Sequence, residues 1–242
     1  MMTGYFDPKL HRMNTGTVGH MAGDVKGRGY RSPLREEQAR QTWLSILRSA
    51  RRLFTGQGYA ATTVPQIAAE AGVAVDTVYA AVGAKPVLLR LLLEMAISGT
   101  DEAVPAEERE YVQRVRAAPR ARQKIETYAA AVRAISERMA PLHLVLRDAA
   151  AQAPELAVIR DEISQRRARN MRLLAQDLIA TGEVRPGLGA GEIADVIWTM
   201  NSAEFYYLLV HERGWPPLRF ERWLADTWSL LFLTEPADQE SR

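Results

Sequence analysis

The chain predicts an all-α fold: a small helix-turn-helix domain in front of a larger helical domain. Three observations predict it. Apolar residues recur three and four positions apart in segment after segment, and no segment sustains the period of two that strands require. Prolines and glycines divide the chain into helix-sized pieces. The third is the stretch Thr62 to Lys85, TTVPQIAAEAGVAVDTVYAAVGAK, which reads as two short helices joined at Gly72. A helix that stops before a tight turn needs a left-handed residue there, and glycine adopts that conformation without steric cost.

Composition narrows the function classes. A chain of 242 residues with 47% hydrophobic content can bury a sizeable core. It holds no cysteine, which removes disulfides, thiolate nucleophiles and cysteine-based metal sites. The apolar run from Val87 to Leu93 is broken by Arg90 and falls short of the roughly 20 residues of a membrane helix. With no apolar signal core at the N-terminus, the expected location is the cytoplasm, with no membrane partner. Net charge is only +2, but it is unevenly spread. Met1 to Met95 carries 12 basic against 7 acidic residues; of the chain's 31 and 29, that leaves 19 and 22 behind them. A front that is mildly positive suits a phosphate partner.

In chain order, residues 1–31 are glycine-rich and without periodicity, and read as a flexible arm. Lys26, Arg28 and Arg31 suit a DNA minor groove, although a tail with no role has the same composition. Residues 32–96 are expected to form the DNA-binding domain, with the helix-turn-helix at about 63–82. Ser32-Pro33 starts its first helix as N-cap and first helical residue. Trp43, Ile46, Leu47, Ala50, Leu53 and Phe54 mark its apolar face; Arg40, Arg48, Arg51 and Arg52 mostly point elsewhere. Thr63-Val64-Pro65-Gln66 fits a capping box that starts the second helix. Ile67, Ala68 and Ala71 share one face of it, and Val78 and Val82 share one face of the third.

If the third helix reads DNA, Thr63 offers a hydroxyl at a helix N-terminus, where phosphate binds readily. Tyr79 reaches a phosphate, or else packs on the preceding helix. Lys85 is one of four lysines in the chain and stands just before Pro86, which opens another helix. A cation there opposes the helix dipole unless a phosphate sits between.

The segment from about Arg40 to Ala96 resembles the DNA-binding domain of the tetracycline-repressor (TetR) family of transcriptional regulators. The resemblance rests on ARRLFTGQGYAATTVPQIAAEAGV, then TVY, then GAK ahead of an apolar helix. It implies backbone binding by Thr63, Thr77, Tyr79 and Lys85, and base contact from Ala74, Val75 and Asp76. There are departures. Ala74 stands where the family usually has a capping serine, and Ala80, Ala81 and Val82 replace a run of aromatic and histidine residues. Val75 and Ala74 suit a thymine methyl, and Asp76 either accepts from a cytosine amine or repairs the missing cap.

Residues 97–234 read as a helical ligand-binding and dimerisation domain, and 235–242 as a tail. A short helix lies near Tyr111, Val112 and Val115. Further helices are expected at about 120–139, 141–152, 154–181, 191–212 and 217–234, bounded by Pro141, Pro154, the Gly182–Gly191 loop and Gly214-Trp215-Pro216-Pro217. Trp198, Trp215, Trp223 and Trp228, with Phe205, Tyr206, Phe220 and Phe232, load the last two helices with apolar surface. A core or a two-fold dimer would absorb it, and the resemblance favours a homodimer through these helices. A pocket among the middle helices is expected to use Tyr128, Met139, His143, Arg147, Met171, Trp198, Asn201, Glu204 and Phe205. Core and surface roles are open to each of them. The four histidines lack metal-ligand spacing, and no nucleophile elbow or phosphate-binding loop is present.

The expected function is therefore a non-enzymatic, DNA-binding transcriptional regulator without a cofactor. It would be a ligand-responsive repressor that binds a palindromic operator as a homodimer. The rival is a helical scaffold that has lost DNA binding, because the reading helix is short of hydrogen-bonding groups.

Overall fold

Residues 33–234 are described by the computed structural model. Ser32, Lys26, Arg28 and Arg31 lie outside that range, as do the rest of the arm and the tail from 235. The described chain is helical throughout; its one extended contact is an isolated antiparallel bridge between Val184 and Leu233. In order the helices are α1 Pro33–Gln57, α2 Val64–Ala71, α3 Val75–Ala81, α4 Lys85–Ser98, α5 Glu110–Ala117, α6 Ala121–Ala150, α7 Pro154–Ile179, α8 Ala190–Met200, α9 Ala203–Tyr206 and α10 Pro217–Phe232. A 3-10 turn at Ala106–Glu108 precedes α5, and a π turn at Tyr207–Glu212 continues α9.

The front helices form where local chemistry asks for them. Thr63 caps α2: its hydroxyl accepts from the Gln66 amide at 3.3 Å, and Gln66 Oε1 accepts from the Thr63 amide at 2.8 Å. Gly72 ends the helix with φ of 70° and gives its N–H to the carbonyls of Ala68 and Ala69. Ile67 and Val78 are fully buried at the α2–α3 crossing, with Phe54, Ile46 and Leu47 beneath them. Each such side chain contributes about 1.5–3 kcal/mol of burial.

This apolar cluster runs on past Ala96 into Met139, Leu142, Leu146 and Ala150 of α6 and Leu156 and Ile159 of α7. A second cluster starts at Ala140 of the same helix and extends rearward to Trp228, Phe220 and Tyr206. The helix α6 thus serves both cores, and touches α1, α4, α5, α7, α9 and α10.

Pro141 does not divide this helix as the sequence reading expects; α6 runs through it. Proline denies the Glu137 carbonyl its N–H and crowds it, so the break is local. Packing on both sides holds the rest straight enough to continue: Ala140 and Leu142 are almost wholly buried. Next to the gap, Arg51 Nη2 of α1 donates to the Arg138 carbonyl at 2.8 Å. Arg138 Nε in turn donates to the Ala96 carbonyl at 2.9 Å, at the end of α4.

The expected helix 191–212 is also corrected. It stops at Met200, and Ser202 caps a new turn by accepting from the Phe205 amide at 3.2 Å. The last helix ends at Phe232 because Leu233 enters the bridge to Val184.

The buried aromatic side chains go mainly into the chain's own core. Trp228 and Phe220 are fully buried, and Trp228 stacks on Tyr128 with ring centroids 5.8 Å apart. What α10 leaves outside is leucine: Leu218, Leu230 and Leu231 are exposed. Lys124 is 4% exposed, yet it spends all three protons: on the carbonyls of Val115 and Arg116, and on Asp177 at 2.9 Å. It ties the end of α5 and the end of α7 to α6.

Candidate nucleic-acid interface and rear cavity

The short helix α3 is held from below and open above. Val78 and Val82 face the core, while Ala74, Val75, Asp76, Tyr79 and Ala80 are exposed and Thr77 is half-buried. Tyr79 projects with 52% of its surface free. Ala74 sits at the N-cap with φ −70° and ψ 151°, the geometry of a capping residue, but α3 has no side-chain cap. Asp76 does not repair it; it lies in the first turn, where its charge suits the helix dipole.

Lys85 has a partner that sequence reading does not supply. Its Nζ donates to the carbonyls of Tyr59 and Thr62, each at 2.9 Å, and lies 4.0 Å from the centroid of the Tyr59 ring. The cation at the start of α4 is thereby explained without a phosphate. Partial burial lowers its pKa, and burial pushes the Tyr59 hydroxyl up to about 12. One ammonium proton remains for another acceptor. The arginines of α1 diverge: Arg40 pairs with Glu37, Arg52 with Glu70 of α2, and Arg51 turns back to α6.

Behind the front domain, α4 to α8 and the 201–204 segment enclose a cavity of about 940 Å³. Of the pocket residues named from sequence, Tyr128, Met139, His143, Met171, Trp198, Asn201 and Glu204 line it. Arg147 does not; it is exposed and paired with its neighbour Asp148 at 3.0 Å, while Leu146 takes the inward place. Phe205 also lies away, stacked on Trp223 with centroids 5.7 Å apart.

The break after Met200 is what turns Asn201 inward. Its Nδ2 donates to the Tyr128 hydroxyl at 2.8 Å and contacts Met171 Sδ at 2.9 Å. The Tyr128 hydroxyl donates to the same sulfur at 3.1 Å. Burial holds the Tyr128 pKa above its ordinary value, against the opposing pull of the Asn201 bond and of the Arg167 and Arg109 charges. On the other side, His143 Nε2 and Glu204 Oε1 are 2.6 Å apart. That hydrogen bond, helped by further positive charge, lowers the Glu204 carboxyl to about 2.

Two lining residues escape the sequence reading. Arg109 is buried at the foot of α5, and Arg167 lies one turn before Met171 on α7. The helical period that singles out Met171 also brings Arg167 to the same face. Among the described residues no group of three or more histidine and acidic side chains is placed to hold a metal ion. Nor is any described helix long and apolar enough to cross a membrane.

Residues 46–90 match the family model described as bacterial regulatory proteins, tetR family. No curated protein matches the chain. Solved structures do. NalD, the secondary repressor of the MexAB-OprM multidrug efflux pump in Pseudomonas aeruginosa, superposes with a TM-score of 0.65 at 20% identity, over 83% of this chain and 100% of that one. A transcriptional regulator from Saccharomonospora viridis in complex with choline gives 0.62 at 16%, over 82% and 100%. The SmeT–triclosan complex gives 0.63 at 17%, over 83% and 98%. At these identities the likeness is one of fold.

Proposed function

We propose that this chain, a TetR-family transcriptional regulator by its domain at residues 46–90, is a repressor that binds a two-fold operator as a homodimer and releases it when a small molecule fills the rear cavity. One observation carries the reading: α3 is anchored from one side by Val78 and Val82 and offers Ala74, Val75, Asp76 and Tyr79 on the other. A helix held this way enters a major groove with its first turn at the base edges. Thr63, Thr77 and Tyr79 would bond phosphates, joined by the remaining proton of Lys85. Val75 and Ala74 supply methyl contacts and Asp76 an acceptor, so each head reads few bases and two heads are required.

The cavity supports the ligand half of the reading, as do the choline and triclosan bound in two similar folds. Ile97 at the end of α4 lines it, as do Ile135, Met139 and His143 of α6. The links from Arg51 to Arg138 and from Arg138 to Ala96 join that wall to α1 and α4. A ligand that fits a different setting of these helices better than the DNA-competent one draws the two heads apart. Equal affinity for both settings would shift nothing.

Fluorescence anisotropy on the DNA upstream of the gene tests the DNA half. Binding should be salt-sensitive and at least a hundredfold tighter than to random duplex. Tyr79→Phe removes only the hydroxyl and should weaken all sequences alike; Val75→Ala should change sequence preference. Equal binding to random duplex, or none, would favour a helical scaffold instead.

A further inference from the structure

Two arginines of the rear cavity have no acid hydrogen-bonded to them. Of the acids in its lining, Asp161 is taken by Arg160 at 2.8 Å, Asp177 by Lys124 at 2.9 Å and Glu204 by His143 at 2.6 Å; Glu107 is exposed. Arg166 is taken by Glu94 at 2.7 Å, and Arg116 is exposed. Arg109 and Arg167 remain. Arg109 is 7% exposed, makes one hydrogen bond, from Nε to the Val104 carbonyl, and has no acid partner among the described residues. Arg167 makes no hydrogen bond and no ion pair among them, and its Nε is sealed from solvent. Its guanidinium lies 4.5 Å over the Trp198 ring, which holds it in place without neutralising it.

Glu204 is the acid whose charge reaches Arg167, but it is hydrogen-bonded to His143, so neither the half-buried Arg167 nor the buried Arg109 has a carboxylate on its fork. That arrangement is costly, and guanidinium does not shed its proton to escape the cost. Beside Arg167, Asn201 has the same difficulty on the neutral side: its Oδ1 is buried without a partner. Turning the amide over would only exchange which end is left unpaired. The remaining wall is mainly apolar, with Val112, Ile135, Met139 and Leu174, and carries Ser136, Ser164, Asn170, Thr199 and Ser202 as its uncharged polar groups.

We infer that the cavity takes an amphiphilic carboxylate, its two oxygens on the fork of Arg167, its charge further met by Arg109, and its apolar body along α5, α6 and α7. Asn201 reads a polar group next to the carboxylate. The planar fork matches a carboxylate in a way an ammonium or an alcohol does not. The inference rests on the cavity being a ligand site, as proposed above.

Isothermal titration calorimetry on the full chain tests it with six probes: naphthyl and decyl bodies, each bearing a carboxylate, an alcohol or an ammonium head. At least one carboxylate should bind at least tenfold tighter than the alcohol and the ammonium of the same body. Arg167→Met, which keeps the stem over Trp198, should remove that preference, and Arg167→Lys should retain part of it. Equal or tighter binding of the alcohols or ammonium compounds overturns the carboxylate class and leaves a ligand cavity standing. If none of the six binds, the cavity reading itself falls. The head-group series on the unmodified chain decides the matter even where a variant fails to fold.

Discussion

Two side chains show how much a single residue's meaning depends on what surrounds it. Lys85 braces the α1–α2 turn through the Tyr59 and Thr62 carbonyls, contacts made 26 and 23 positions away in sequence. Lys85→Met should therefore cost fold stability as well as DNA affinity. Bonds from a charged donor are worth about 1.5–3 kcal/mol when buried, and partial exposure brings the expected loss to about 1–2 kcal/mol, read from urea unfolding. Unchanged stability would return Lys85 to a purely phosphate-binding role. Glu204 carries a pH signature. Its folded pKa of about 2 lies below the ordinary value of 4.5, so its contribution is complete above about pH 4.5 and is lost as pH falls toward 2. Its side chain is 45% exposed, which screens the effect to about 1 kcal/mol. Urea midpoints at pH 5.5 and pH 3 should converge more in Glu204→Gln than in the parent chain. Thr63 and Gly72 were legible in the sequence because their partners lie within a few residues. The two carbonyls under Lys85, and Arg167 against Trp198, are long-range contacts that no local pattern announces.

At the scale of the element, α3 is the weakest-built helix of the front domain. Seven residues long and uncapped, it depends on Val78 for its place. Ala74 already has the extended backbone of a cap, so Ala74→Ser should add a hydrogen bond and stabilise the domain by about 1 kcal/mol, visible as a higher melting temperature. No change in melting would mean that the serine hydroxyl is turned to solvent. Most helices were legible from period and punctuation, including α5 around Tyr111 and the start of α7 at Pro154. Two were not, for one reason. Proline and glycine report local backbone preference, whereas α6 is held across Pro141 by two cores that meet within it. The break at Asn201-Ser202 carries no proline or glycine at all; a serine cap creates it, and it turns the cavity's amide inward.

For the whole molecule, Tyr206, Phe220, Trp228 and Phe232 are buried in the chain's own core, Trp198, Phe205, Trp215 and Trp223 are partly exposed, and Leu230 and Leu231 are exposed at the end of α10. Exposed leucines at the end of α10 suit a two-fold partner. The double variant Leu230→Glu/Leu231→Glu should sediment as a monomer at micromolar concentration and lose operator affinity by at least a hundredfold, with its helical content intact. A dimer that persists would place the partner elsewhere on the surface. The 940 Å³ cavity has a further consequence at this scale. A ligand there adds dispersion contacts along the apolar lining and a partner for the arginine forks. Whatever occupies the space stabilises the native state by mass action, by about 2.7 kcal/mol at one hundred times its dissociation constant. A change of that size alters how long a protein survives cellular proteolysis. A small molecule that acts on the rear cavity as proposed would thus also protect the chain from degradation, so that the signal lengthens the lifetime of its own receptor.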